Sequence, residues 1–158
     1  MSLSQFIQMS HGINPTFLNE VNVVSMNEQQ REISSEVVQQ NRCFDNCFQL
    51  AMHLDVTYVL GVYHHLIPIE HAWLKVGDVY IDPTLETVTG EVQGTYLSLV
   101  EVRASELIDL VVEVQDITNA NAAYPPMFER IKHHPEFRGR FISNRERSAF
   151  FDPKIVNI

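Results

Sequence analysis

Residues 69–84, with the sequence IEHAWLKVGDVYIDPT, decide the fold. Polar and apolar side chains alternate on both sides of Gly77-Asp78, which is the pattern of two strands. A glycine in the first position of a two-residue loop favours a type II′ turn. The stretch therefore predicts a β-hairpin in which Ile69–Val76 pairs with Val79–Thr84.

The register of this hairpin sets which side chains share a face, because they alternate along a strand. If Val76 pairs with Val79, residues whose numbers sum to 155 lie opposite each other, so His71 faces Thr84. His71 and Asp82 become diagonal neighbours, close enough for the carboxylate to accept a hydrogen bond from the imidazole. That face carries His71, Trp73, Lys75, Tyr80, Asp82 and Thr84, whereas the opposite face is apolar and consists of Ala72, Leu74, Val76, Val79 and Ile81.

The preceding segments predict what packs on the apolar face. In residues 43–54, CFDNCFQLAMHL, apolar side chains recur at i, i+3 and i+4 spacing, as in a buried helix. Residues 56–63 are β-branched and aromatic, the composition of a strand in a sheet core. An earlier helix is expected to about residue 39, opened by a capping box in Ser25-Met26-Asn27-Glu28. Its inward residues are Ile33 and Val37.

The flanking regions give weaker patterns. Residues 95–102 alternate as a strand, and Ser105 can cap a helix to about residue 113, although the valines at 111, 112 and 114 leave a strand open there. A short helix ending near residue 133 follows the break at Tyr124-Pro125-Pro126. We predict one α+β domain over 1–158: an irregular N-terminal arm (1–24), a core (25–133) and a loop-rich, mildly basic tail (134–158).

Composition excludes several function classes. The chain has 158 residues, of which 45% are hydrophobic and 20% charged, so it can bury one core. It contains no long apolar run and no basic-then-apolar N-terminus, so we expect no membrane partner and a cytoplasmic location.

Residues 1–128 hold 4 Lys or Arg against 16 Asp or Glu, and 129–158 hold 7 against 4. This charge balance disfavours nucleic acid as a partner of the body. We interpret the basic tail as a solvated or body-hugging segment, and contact with an acidic partner is the alternative. The pattern makes no prediction of oligomeric state.

Cys43, His71 and Asp82 supply a thiol, an imidazole and a carboxylate on three successive predicted elements. A nucleophile, a base and a group that orients the base are the parts of a cysteine nucleophile site. Cys43 begins a helix, where a thiolate is favoured, whereas Cys47 lies one turn further on and is expected to be a small packing residue. Taken singly, each residue also fits a structural role, as a buried thiol, a semi-buried histidine or a strand-end aspartate.

Four short motifs resemble the transglutaminase-like branch of the papain-like cysteine fold. They are CFDNC at 43–47, YVLG at 58–61, PIEHAW at 68–73 and DPT at 82–84, and the resemblance covers about residues 39–86. It implies a papain-like core in which the helix bearing the cysteine packs on a small antiparallel sheet. It also implies that Cys43 is the nucleophile, His71 the base and Asp82 the residue that orients the base, with acyl transfer through a thioester.

Several other roles are expected around this triad. The backbone N–H of Cys43 can stabilise an oxyanion, and Gln40 or Asn41 can add a side-chain amide, although both also fit as polar loop residues. Trp73 can wall the thiol pocket or simply pack in the sheet. We predict no cofactor and no metal, although Cys43, Cys47 and His71 leave a thiol–imidazole metal site geometrically open.

The sequence thus predicts a cysteine-dependent hydrolase or deamidase that acts on an amide, peptide or isopeptide bond of a protein, peptide or small amide substrate. The alternative is a non-catalytic binding module that keeps the fold. Reactivity of Cys43 toward iodoacetamide distinguishes them, because a binding module has no reason to activate one thiol over the other.

Overall fold

A computed structural model describes residues 2–119, 124–143 and 145–146, and it has an α+β fold. Six helices and five strands are described, together with short 3₁₀ turns at Pro15–Phe17 and Arg138–Arg140. In chain order they are α1 (Leu3–His11), β1 (Asn19–Val21), α2 (Glu28–Val37), α3 (Cys43–His53), β2 (Thr57–His64), β3 (Pro68–Val76), β4 (Val79–Ile81), α4 (Pro83–Thr89), β5 (Thr95–Arg103), α5 (Ala104–Thr118) and α6 (Phe128–Ile131).

The strands form one curled antiparallel sheet in the order β1-β5-β2-β3-β4. The predicted hairpin register is confirmed, because Val76 pairs with Val79 and Leu74 with Ile81. Its turn begins at Gly77, whose φ of 60° is open to glycine at little cost. The predicted strands over 56–63 and 95–102 are also present, within a residue of their expected bounds.

The prediction was wrong about the end of the hairpin. Strand β4 stops at Ile81, and the chain turns into α4 instead of continuing to Thr84. The cause is local, since Asp82 caps the helix by accepting the Leu85 N–H and Pro83 fills the first helical position, where a proline costs no hydrogen bond. Thr84 is therefore a helical residue and does not pair with His71.

The first 24 residues are not the irregular arm that the sequence suggested. Helix α1 is opened by a capping box in which Ser2 and Gln5 exchange hydrogen bonds, and its Ile7 is buried in the core. Strand β1 then pairs with β5 along one edge of the sheet. Three residues later the chain reaches the opposite edge, where the Val24 N–H donates to the carbonyl of Tyr80 at 2.9 Å.

Two predicted helix caps are also corrected. Helix α2 is capped by Asn27 with Gln30, two residues after the predicted box, because the Asn27 side chain accepts the Gln30 N–H at 2.8 Å. Helix α5 begins before Ser105, without a side-chain cap, and continues to Thr118. This length excludes the strand alternative for the valines at 111–114.

The sheet separates two apolar clusters. In the larger one, α3 packs on the apolar face of β3 as predicted, and the contact includes Cys47, Leu50, Ala51, Ala72 and Leu74. The smaller one contains Val59, Tyr63, Trp73 and Tyr96. None of the helices in the described part of the chain has the length and apolarity that crossing a membrane requires. Of the predicted tail, 134–143 contains turns and the second 3₁₀ segment, while 144 and 147–158 lie outside the described residues.

Candidate active site

Cys43 is the first residue of α3 and opens into a surface cavity. The cavity has a volume of about 460 Å³, and His71, Gln40 and Asn41 lie on its wall with Cys43. The Cys43 side chain is partly exposed, whereas Cys47 is fully buried, and both thiols are free. Burial raises the pKa of the Cys47 thiol well above its ordinary value. Only Cys43 is therefore placed to meet a ligand.

His71 and Asp82 form a buried hydrogen-bonded pair beside this thiol. The His71 Nε2–H donates to Asp82 Oδ2 at 2.7 Å, and the other carboxylate oxygen accepts the Leu85 N–H at 3.1 Å. A carboxylate can only accept here, so this contact places a proton on Nε2. The Asp82 side chain is 0% exposed, which makes its interaction with the imidazole strong. The predicted hydrogen bond is present, although Asp82 reaches it as a helix cap.

The surroundings of His71 favour its charged form. Burial alone lowers the pKa of the ring, but the charge and hydrogen bond of Asp82 outweigh it, and the pKa rises to about 10. The Cys43 side chain also raises this pKa, through a hydrogen bond and through its charge. Since Nε2 is bound to Asp82, the ring nitrogen left for the thiol is Nδ1. The Asp82 and Cys43 side chains thus both favour the imidazolium form of His71.

Tyr96 is a neighbour of the pair that the sequence did not indicate. Its hydroxyl donates to Asp82 Oδ2 at 2.6 Å, and its side chain is almost completely buried. Tyr96 lies on β5, opposite Tyr63 on β2. Only the order of strands in the sheet brings β5 to the hairpin face, so spacing along the chain carries no signal for this contact.

Of the two roles expected for Trp73, packing in the sheet is the one that the structure shows. Its ring is 0% exposed and lies behind the imidazole of His71, with 6.2 Å between ring centroids and 26° between ring planes. It also meets the ring of Tyr96 edge-on, with centroids 5.1 Å apart. Trp73 therefore packs behind the pair and does not line the cavity. Its Nε1–H has no hydrogen-bond acceptor within the described part of the chain.

The approach to the thiol provides donors and one acid. The backbone N–H of Cys43 belongs to the first turn of α3, which the helical hydrogen-bond ladder leaves unpaired. Asn41, whose φ is 63°, reverses the chain just before the helix and stands on the cavity wall with Gln40. Glu70 also lines the cavity and accepts the Phe128 N–H at 2.6 Å, and burial raises the pKa of its carboxyl group.

A shared metal ion has no ligand set here. Among residues 2–119, 124–143 and 145–146, no three His, Cys, Asp or Glu side chains converge as metal ligands. Cys47 points into the core beneath α3, so it does not join Cys43 and His71 around a common point.

No family model, curated protein sequence or solved structure matches this chain.

Proposed function

We propose that the protein is a cysteine-dependent hydrolase or deamidase that acts on an amide, peptide or isopeptide bond, with a papain-like or transglutaminase-like core. One observation carries the proposal: a partly exposed thiol at the start of a helix lines the same cavity as an imidazole that a buried carboxylate holds at 2.7 Å. A nucleophile, a base and an orienting acid in contact are the requirements for acyl transfer to sulfur.

The reaction begins when the Cys43 sulfur attacks the carbonyl carbon of the substrate. A C–S bond forms and the carbonyl oxygen takes the negative charge, which the Cys43 N–H and the amide of Gln40 or Asn41 stabilise. The C–N bond then breaks, and the proton on His71 Nδ1 passes to the departing nitrogen as ammonia or an amine leaves. Asp82 keeps the ring turned toward the sulfur throughout.

Water completes the reaction. It attacks the thioester carbonyl while His71 accepts its proton, the C–S bond breaks, and a carboxylic acid leaves with Cys43 restored. Both half-reactions use the same imidazole, so one buried His–Asp pair supports the full cycle. The nucleophile must remain a free thiol, and we therefore place the protein in a reducing, cytoplasmic setting.

The lining of the cavity supports a proposal about the substrate class. Its wall is mainly apolar and includes Phe44, Ile69 and Val88, and Glu70 is the acidic residue that lines it. A neutral or basic peptide segment with an apolar residue beside the reacting amide suits this wall. An acidic segment meets repulsion from Glu70 and from the acidic body of the chain.

A panel of peptides tests the proposal. Glutamine-containing peptides with apolar, basic or acidic neighbours would be incubated with the protein, and ammonia and peptide mass would be followed. We expect turnover of the apolar and basic peptides by the unmodified protein and by Cys47→Ala, and none by Cys43→Ala. Cleavage of the peptides instead of deamidation would identify a protease.

Equal and slow alkylation of both cysteines, with no turnover of any peptide, would contradict the proposal and favour a binding module. Cys47→Ala is the matched control because it removes the same chemical group one helical turn away. It separates loss of the nucleophile from damage to α3.

A further inference from the structure

Tyr96 completes a closed set of hydrogen bonds around Asp82. Oδ2 accepts the Tyr96 hydroxyl at 2.6 Å and the His71 Nε2–H at 2.7 Å, while Oδ1 accepts the Leu85 N–H at 3.1 Å. The three donors come from β5, from β3 and from the first turn of α4. The carboxylate is thereby held from three directions in a site without access to solvent.

We propose that Tyr96 is a positioning residue of the site, whose hydroxyl fixes the Asp82 carboxylate in the orientation that holds His71 toward Cys43. This inference rests on the proposed function for its catalytic meaning. Leu85 and His71 each bind one carboxylate oxygen, and the Tyr96 hydroxyl adds a second donor at Oδ2 from a third direction, which restricts movement of the carboxylate further. A buried hydrogen bond to a charged acceptor is also among the stronger ones.

The ring of Tyr96 is itself immobilised, so its hydroxyl has a fixed direction. Trp73 meets it edge-on at 5.1 Å, and the ring of Tyr63 lies 4.9 Å away on the neighbouring strand. Burial, followed by the charge of Asp82, raises the pKa of Tyr96 far above its ordinary value. The hydroxyl therefore keeps its proton and remains a donor over the whole working range of an enzyme.

Other ionisable groups also face Asp82, and a test must separate them from Tyr96. They are His71 from β3, Tyr63 from β2 and Cys47 from α3, while Cys43 acts on His71 and Glu86 of α4 acts on Tyr96 itself. Tyr96→Phe leaves all of them in place and removes a single oxygen atom.

The matched control is Tyr58→Phe. Tyr58 is as deeply buried as Tyr96, and its hydroxyl donates to the carbonyl of Pro126 at 2.7 Å, away from Asp82. Both variants lose one buried tyrosine hydrogen bond, so a general loss of stability affects both. Urea unfolding of each variant gives the size of that common effect.

The first measurement is the rate at which iodoacetamide alkylates Cys43 between pH 4 and pH 9. We expect Tyr96→Phe to slow the reaction about tenfold near neutral pH, since a hydrogen bond to a charged group is lost. The shape of its pH profile should also change, because a less firmly held Asp82 raises the pKa of His71 by less. Tyr58→Phe should leave the profile where it is. An unchanged profile in Tyr96→Phe would overturn the proposal.

The second measurement does not depend on Cys43 being reactive. The His71 Nε2–H should give a slowly exchanging downfield proton signal by NMR, with exchange accelerated about tenfold in Tyr96→Phe and unchanged in Tyr58→Phe. Equal exchange in both variants would overturn the inference about Tyr96. If Cys43 reacts no faster than Cys47 while this difference is found, the proposed function fails and the positioning of Asp82 stands.

If Tyr96→Phe does not fold, NMR of the unmodified protein still tests the inference. The Tyr96 hydroxyl proton should then be visible as a second slowly exchanging resonance close to the His71 ring proton. Its absence would contradict a fixed bond to Asp82.

Discussion

Cys43 and Cys47 occupy the same helix four residues apart and have opposite environments. Cys43 is the first residue of α3, lines a cavity and contributes to the raised pKa of His71. Cys47 is 0% exposed, and burial raises the pKa of its thiol, with the charges of Asp82 and Cys43 acting in the same direction. One turn of helix thus separates a thiol beside a proton donor from a thiol that behaves as an apolar side chain. Position relative to the sheet decides the chemistry, more than residue type.

The largest expected difference between the two cysteines is in alkylation. At neutral pH, iodoacetamide should modify Cys43 about a hundredfold or more faster than Cys47, because Cys47 reacts only when the core opens. Peptide mass mapping after short exposures gives both rates in one sample. Comparable rates would mean that burial does not protect Cys47 from alkylation, and they would contradict the conclusion that the two cysteines have different environments.

The advantage of Cys43 should depend on His71 and not on histidine–carboxylate pairs in general. His134 also binds a carboxylate, that of Glu113, but the Glu113 side chain is 57% exposed and the pair lies away from the cavity. We expect His71→Ala to slow alkylation of Cys43 about tenfold or more, since the thiol loses its imidazolium partner. His134→Ala should leave that rate unchanged, and a similar loss in both variants would point to general destabilisation.

Substitution of Gly61 tests whether the tight packing of the sheet next to His71 is needed for stability and for the reactivity of Cys43. Gly61 pairs with His71 across β2 and β3, and a β-carbon there would overlap the Leu97 carbonyl oxygen and lie 2.7 Å from the ring of Trp73. Gly61→Ala should therefore lower the free energy of unfolding by about 3 kcal/mol. It should also reduce the reactivity of Cys43 more than that of Cys47.

Gly139→Ala is the control for this change, because a β-carbon there meets no atom within 4 Å. Urea unfolding should give it the stability of the unmodified protein. If the two alanine variants are equally stable, the packing behind His71 is looser than the structure indicates.

The smallest expected effect is in the pH dependence of stability. The folded-state pKa of His71, about 10, exceeds the ordinary value of 6.5, so its stabilising contribution is complete below pH 6.5 and is lost as the pH rises toward 10. Between pH 7.5 and 8.5 the contribution should fall by about 1.4 kcal/mol per pH unit, the limit for one proton. His71→Ala should remove this slope.

Variants of the two cysteines test the origin of this pH dependence. Cys43→Ala should make the slope shallower, because Cys43 is one of the causes of the raised pKa, whereas Cys47→Ala should not. The comparison stops at pH 8.5, because above the ordinary thiol value of 9.0 the buried Cys47 adds a pH dependence of its own. Equal slopes in the two variants would contradict the contact between Cys43 and His71.

The parts of the fold that could be predicted from the sequence are those in which apolar residues recur at a regular spacing. The alternation in 69–81 and the i, i+3, i+4 spacing in 43–53 each repeat over several residues, so they gave the hairpin register and α3. The pairing of His71 with Asp82 followed from that register, even though Asp82 leaves the strand to cap a helix. Pro83 right after Asp82 was the available sign of that helix start.

The rest depends on contacts that are distant in sequence. Tyr96 reaches Asp82 because β5 lies beside β2, and no spacing within the hairpin encodes that neighbour. Strand β1 has three residues, too few for a period, and exists because β5 supplies its hydrogen-bond partners. Helix α1 is different, since Ser2 and Gln5 carry a capping box that the sequence displays and the prediction overlooked.

The segment from Asn19 to Val24 contacts both sides of the sheet. Asn19–Val21 pairs with β5, and the Val24 N–H donates to the carbonyl of Tyr80 in β4. Exposed margins recruit strands from other molecules and lead to aggregation. By covering both edge strands, the N-terminal segment prevents strands of other molecules from pairing with them. A chain shortened to begin at residue 25 should self-associate, and light scattering would reveal it.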